Sequence, residues 1–66
     1  MLDYVYVLCN GGEWEDMIII IDKTEAINIS IKYPQKKVEI FMKRIDEIGY
    51  IPTYNYYENG IFIENQ

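Results

Sequence analysis

Glu13-Trp14-Glu15-Asp16 sets three carboxylates around a single indole. Carboxylate oxygens are the ligands that Mg²⁺ and Ca²⁺ prefer. The spacing matches no metal loop, however, and a calcium loop carries more alternating oxygens, so no metal is expected. An indole among acids also suits an anchor for a protein partner, because Trp is enriched at binding hot spots. Alternatively the ring folds back over a sheet while the acids keep the tip soluble. Glu13, Trp14, Glu15 and Asp16 are therefore candidate partner-binding residues. A second candidate stretch is Pro52-Thr53-Tyr54-Asn55-Tyr56-Tyr57. Tyr54, Asn55, Tyr56 and Tyr57 combine flat rings with directional hydrogen bonding, as paratopes and base-stacking platforms do, although alternating Tyr also describes an ordinary amphipathic strand. Lys32, Lys36, Lys37, Lys43 and Arg44 form a candidate anion site. Joined to the Tyr cluster, they can hold a nucleotide or a short single strand.

Cys9 is the single cysteine, and the chain has no histidine. A thiolate nucleophile then lacks its usual base, and Cys9 reads as a small buried apolar residue. The remaining acids are too scattered to nominate a carboxylate pair. No catalytic residue and no cofactor are expected, and the chain reads as a non-enzyme.

The positive charge sits in a mildly basic middle. Residues 1–25 hold six acids against Lys23, residues 26–45 hold the five basic residues above against Glu39, and residues 46–66 hold four acids and no base. The overall charge of −5 disfavours binding to long nucleic acid, which depends on neutralising phosphates, and docking on anionic lipid. The longest apolar run, Met17 to Ile21, is far too short to span a bilayer. Met1-Leu2-Asp3 shows neither the basic nor the apolar region of a signal peptide. With a lone cysteine, these features lead to the expectation of an intracellular location.

The elements that must position these residues form one domain, because 66 residues bury only about 60% of the surface that the unfolded chain exposes. Tyr4 to Cys9 reads as a strand, with Val5, Val7 and Cys9 on one face and Tyr4, Tyr6 and Leu8 on the other. Asn10-Gly11-Gly12 begins the tip of a hairpin whose second strand is Met17 to Ile21. Asp22 and Glu25 mark a helix start. The inward positions of that helix are Ala26, Ile27, Ser30, Ile31 and Tyr33, with Ile29 at the border, and Pro34 stops it. Lys37 to Lys43 is a third strand: Val38, Ile40 and Met42 face one way, Glu39, Phe41 and Lys43 the other. Asp46 to Pro52 reads as a connection. Asn59-Gly60 is a strong hairpin signal between Tyr54–Tyr57 and Ile61–Ile63. The expected fold is α+β: a small antiparallel sheet of four to five strands, ordered β-β-α-β-β(-β), with one helix on one face.

A three-turn helix covers one sheet face at most, yet the strands are apolar on both sides. Tyr4, Tyr6, Leu8 and Phe41, which lie opposite the valine row, are therefore expected to mediate self-association as a symmetric dimer.

The runs Tyr4 through Glu13-Trp14-Glu15-Asp16, Glu25-Ala26-Ile27, Val38-Glu39-Ile40-Phe41 and Pro52-Thr53-Tyr54-Asn55-Tyr56-Tyr57 resemble small proteins of viruses and phages with AT-rich genomes. The resemblance extends over nearly the whole chain. That set has no established activity, so it implies a lifestyle rather than a mechanism: neutralising a host defence component, or a minor structural role in a virion. The expected function is an interaction module that self-associates and binds a host or viral protein. The alternative is a small-ligand binder that sequesters a nucleotide signal.

Overall fold

The computed structural model describes residues 2–9 and 14–65. Strand β1 (Leu2–Cys9) leads to a 3₁₀ turn at Trp14–Asp16 and strand β2 (Met17–Ile20). Helix α1 (Lys23–Lys32) follows, then β3 (Val38–Arg44), β4 (Ile51–Glu58) and β5 (Ile61–Ile63). The strands form one antiparallel sheet in the order β2-β1-β3-β4-β5, with α1 packed against it. The expected α+β architecture is thus the observed one. Both β2 and β3 run antiparallel to β1, so they are parallel to each other, and α1 is the crossover that carries the chain over β1.

The register defines the two faces. One row crosses all five strands as Ile18, Leu8, Val38, Tyr57 and Phe62, and beside it lie Ile20, Tyr6 and Ile40. This is the face that the helix covers. Leu8, Val38 and Ala26 are fully buried, and Tyr6, Ile20, Ile40 and Tyr57 nearly so. The opposite face carries the row Ile19, Val7, Glu39, Tyr56 and Ile63. Phe41 pairs with Val5 on that second face, whereas Tyr6 and Leu8 pair with Ile40 and Val38 under the helix. The sequence-based grouping of Tyr4, Tyr6, Leu8 and Phe41 on one uncovered face therefore fails. Side chains directly opposite in a ladder share a face, and Phe41 occupies the other one.

The helix forms where its start signal sits. Asp22 is the N-cap, with Oδ2 accepting from the Glu25 amide at 2.8 Å and its carbonyl accepting from Ala26 at 3.0 Å. At the other end the Tyr33 amide donates to Ile29, and Pro34 forbids continuation. Ala26 and Ser30 are central to the buried face, flanked by Ile27, Ile29 and Tyr33. Ile31, expected inside, is half-exposed, and Ile29 takes its place.

Ser30 explains the exchange. Its hydroxyl is fully buried, donates to the Ile27 carbonyl at 2.7 Å and accepts from the Gly60 amide at 2.9 Å. The β4–β5 turn is thereby held against the helix. Asn59 (φ 51°) and Gly60 (φ 80°) both adopt positive φ, as a type I′ turn requires. A Cβ on Gly60 would lie 2.9 Å from Cγ1 of Ile31, so Ile31 lies over the turn rather than in the core.

Two substitutions test this attachment. Ser30→Ala leaves the Gly60 amide without its acceptor and should lower stability by about 1–2 kcal/mol, read from urea unfolding. Gly60→Ala should cost more than Gly49→Ala. Both glycines sit at φ 80°, but a Cβ at Gly49 meets nothing within 4 Å. Equal costs would mean that the Ile31 contact carries no energy.

Candidate functional site

A helix of 10 residues is about 15 Å long and cannot cover a whole sheet face. It lies over the Leu8, Val38 and Tyr57 end and leaves the Tyr4 and Met42 end bare. A cavity of about 710 Å³ opens there. Its floor is Tyr6, Ile40, Met42 and Tyr57; Tyr4 stands two residues from Tyr6 on β1, Phe62 stands on the edge strand β5, and Lys23 reaches in from the first turn of the helix. The Tyr57 ring lies 6.2 Å from that of Tyr6, tilted 45°, and 5.8 Å from that of Phe62, nearly edge-on at 63°. Burial pushes the Tyr6 phenol above its ordinary value of 10.0, and the Tyr57, Tyr4 and Asp22 groups add to the shift in the same direction.

The wall formed by β4 is irregular. Glu39 pairs with Tyr56 and Phe41 with Pro52, so three residues, Thr53 to Asn55, stand opposite Ile40 alone. The Thr53 hydroxyl repairs the interrupted ladder. It donates to the Ile40 carbonyl at 2.8 Å and accepts from the Asn55 amide at 3.1 Å, while Asn55 Oδ1 accepts from the Asn65 amide at 3.0 Å. Tyr54, at the crest, has φ 68° and is 63% exposed. A left-handed backbone at an aromatic residue costs on the order of 1 kcal/mol, and bulges of this kind re-aim side chains beside functional sites.

The helix-free face is apolar along β1 and β2. Val5, Val7, Cys9, Met17, Ile19 and Phe41 line a groove of about 430 Å³, with Tyr50 and Glu39 at its margin. Ile19 is 68% exposed, whereas Val7 is shielded by its neighbours to 8%. Cys9, expected to be buried, is exposed here with a free thiol.

The residues singled out in the sequence are dispersed. Glu13 lies outside the described residues. Trp14 belongs to the 3₁₀ turn, and Glu15 and Asp16 are exposed beside the outer edge of the sheet. The Tyr cluster is divided by the pleat and the bulge: Tyr57 is core, Asn55 lines the helix-side cavity, Tyr54 projects from the bulge and Tyr56 lies on the helix-free face. The basic residues do not converge either. Lys32 and Lys36 belong to the helix end, whereas Lys37 and Lys43 stand near opposite ends of β3, with Arg44 at its last position; that separation is about 20 Å. Lys37 alone meets the Tyr stretch, with Nζ 4.6 Å from the Tyr56 ring centre, and the Nζ of Lys32 lies 5.6 Å from that of Tyr33. The cation at the aromatic cavity is instead Lys23, which no motif marks. Among the described residues no group of three or more His, Cys, Asp or Glu side chains is placed to hold a metal ion, and no helix is long and apolar enough to cross a membrane. No family model matches the chain, and searches of curated proteins and of solved structures return no match.

Two measurements follow from this geometry. Thr53→Val removes the hydroxyl from the bulge and should cost about 1–2 kcal/mol. Tyr54→Gly suits φ 68° and should leave stability equal or higher; a marked loss would show that the Tyr54 ring supports the fold. The second concerns alkaline pH. A phenol whose folded value is raised contributes stability that is fully present below its unfolded value and is lost as pH rises through the folded one. The urea midpoint should therefore fall above about pH 10, and fall less in Tyr6→Phe.

Proposed function

We propose that this protein is a non-enzymatic interaction module that works as a pair of identical chains, joined through the helix-free face of the sheet. The observation that carries the reading is the row Ile19, Val7, Glu39, Tyr56 and Ile63, which is largely apolar and has no element of the described chain over it. A sheet that is apolar on both sides requires cover on both, and a chain of this size gains disproportionately from association.

A second copy fits this face in charge. Along β3, the residues on the helix-free face are Glu39, Phe41 and Lys43. A two-fold axis through Phe41 sets the Phe41 rings against each other and each Glu39 opposite Lys43 of the second copy. Both β3 charges are then answered by the same operation, while Asp3, directly across the ladder from Lys43, shares this face. Strands of 8, 4, 7, 8 and 3 residues, at about 3.3 Å per residue and about 4.8 Å apart, give a face on the order of 500 Å² in projection. That is somewhat over half of the roughly 800 Å² that each partner of a standard interface buries. The pairing surface thus consists of Val5, Val7, Ile19 and Phe41, not Tyr4, Tyr6 and Leu8.

Pairing leaves Tyr54 displayed on its strained bulge. An exposed aromatic held in an unfavourable backbone state is the best candidate for contacting a further protein partner. On the viral or phage origin expected from the sequence, that partner would be a host or viral protein.

Light scattering at tens of micromolar should give twice the chain mass for the wild type. Ile19→Lys should yield a folded monomer, while Tyr4→Ser, on the helix side, should remain a dimer. Glu39→Lys and Lys43→Glu should each weaken association and restore it in combination. A monomeric wild type contradicts the pairing. So does a dimer that survives Ile19→Lys and is lost in Tyr4→Ser.

A further inference from the structure

We infer that the helix-side cavity is a binding site for a planar aromatic small molecule carrying one negative charge. Its volume of about 710 Å³ lies within the roughly 300–1,000 Å³ of small-molecule sites. Tyr6 and Tyr57 are nearly buried in its floor, and the rings that remain accessible are Tyr4 and Phe62, which give a flat ring aromatic faces and edges to pack against, the arrangements that aromatic quadrupoles favour.

The charge of the ligand follows from the polar groups. Among the described residues, Lys23 is the one charged side chain that lines the cavity. A monoanion matches it, a cation is repelled, and a dianion is half neutralised. Asp22, the adjacent carboxylate, uses Oδ2 to accept from the Glu25 amide; its charge is felt at Tyr6 and limits what an anion gains, but its side chain does not line the cavity. The Thr53 hydroxyl is engaged by Ile40 and Asn55, and Asn55 Oδ1 by Asn65. Those engagements fix the bulge and leave the side-chain nitrogen Nδ2 of Asn55, with Lys23, to address acceptors on the ligand. A cyclic nucleoside monophosphate and an aromatic carboxylate share this chemistry.

The site lies on the face opposite the pairing surface, so it stands or falls independently of the dimer. The test is a titration of the ¹⁵N-labelled full chain followed by amide chemical shifts. The probes are adenosine 3′,5′-cyclic monophosphate and indole-3-acetate, each beside its uncharged counterpart, adenosine and indole-3-acetamide. At least one anion should produce saturable shifts at Lys23, Thr53, Asn55 and Phe62. It should bind about five- to tenfold more tightly than its neutral counterpart, and the tighter of the two anions identifies the source. Lys23→Gln, an exposed position, should abolish that ratio while preserving binding of the neutral compound. The absence of saturable shifts with both anions overturns the inference. Equal affinity for anion and neutral compound also overturns it, as do shifts confined to the Val5, Val7 and Phe41 groove.

Discussion

The buried Ser30 hydroxyl governs where the single helix can lie. It takes the Gly60 amide from one side and gives its proton to Ile27 on the other, so the last hairpin and the helix are locked together at one point. The Gly60 turn can approach that closely only because it has no Cβ, and Ile31 fills the space above it. Once the helix is held at the β4–β5 end of the sheet, its length decides the rest. Ten residues pack on the cluster of Leu8, Ile20, Val38 and Tyr57, with Tyr6 and Ile40 at its margin, and leave Tyr4 and Met42 uncovered.

Both open surfaces are consequences of that placement. On the helix side, the uncovered end of the face becomes a cup lined by aromatic rings, with Lys23 at the first turn of the helix and the bulge at the opposite wall. On the other side, nothing in the described chain lies over a row that spans five strands. Apolar area of this extent is seldom left in water by a small domain. The bulge contributes separately. By placing three residues against Ile40, it turns Asn55 into the cavity and Tyr54 out of the sheet.

The fold was legible because its local signals agree. Alternation in Tyr4–Cys9, the Asp22 cap, the Pro34 stop and Asn59-Gly60 each act over a few residues, and each appears where expected. The faces were less legible. Period-two alternation separates Val5 from Tyr6 within one strand, but only the register between strands shows that Phe41 joins the valines rather than the tyrosines. Met17–Ile20 is apolar throughout, so its pattern carried no information about orientation. The bulge was invisible for a related reason. Thr53-Tyr54-Asn55 looks like an ordinary strand, and the compensating hydrogen bond from the Thr53 hydroxyl reaches a residue 13 positions away. Lys23 was overlooked because an isolated lysine at a helix start has no pattern, and its position matters only once Tyr4, Met42 and Phe62 are brought around it.

The proposed pairing requires that a second copy of the chain cover the helix-free face. Isotope-filtered nuclear Overhauser spectroscopy on an equimolar mixture of labelled and unlabelled protein tests this directly, since only contacts between copies are recorded. Cross-peaks are expected from the Phe41 ring to the Phe41 ring and Val5 methyls of the other copy, and from Ile19 and Val7 methyls across the same interface. Cross-peaks at Tyr4 and Met42 instead, or none in a sample at millimolar concentration, would contradict it.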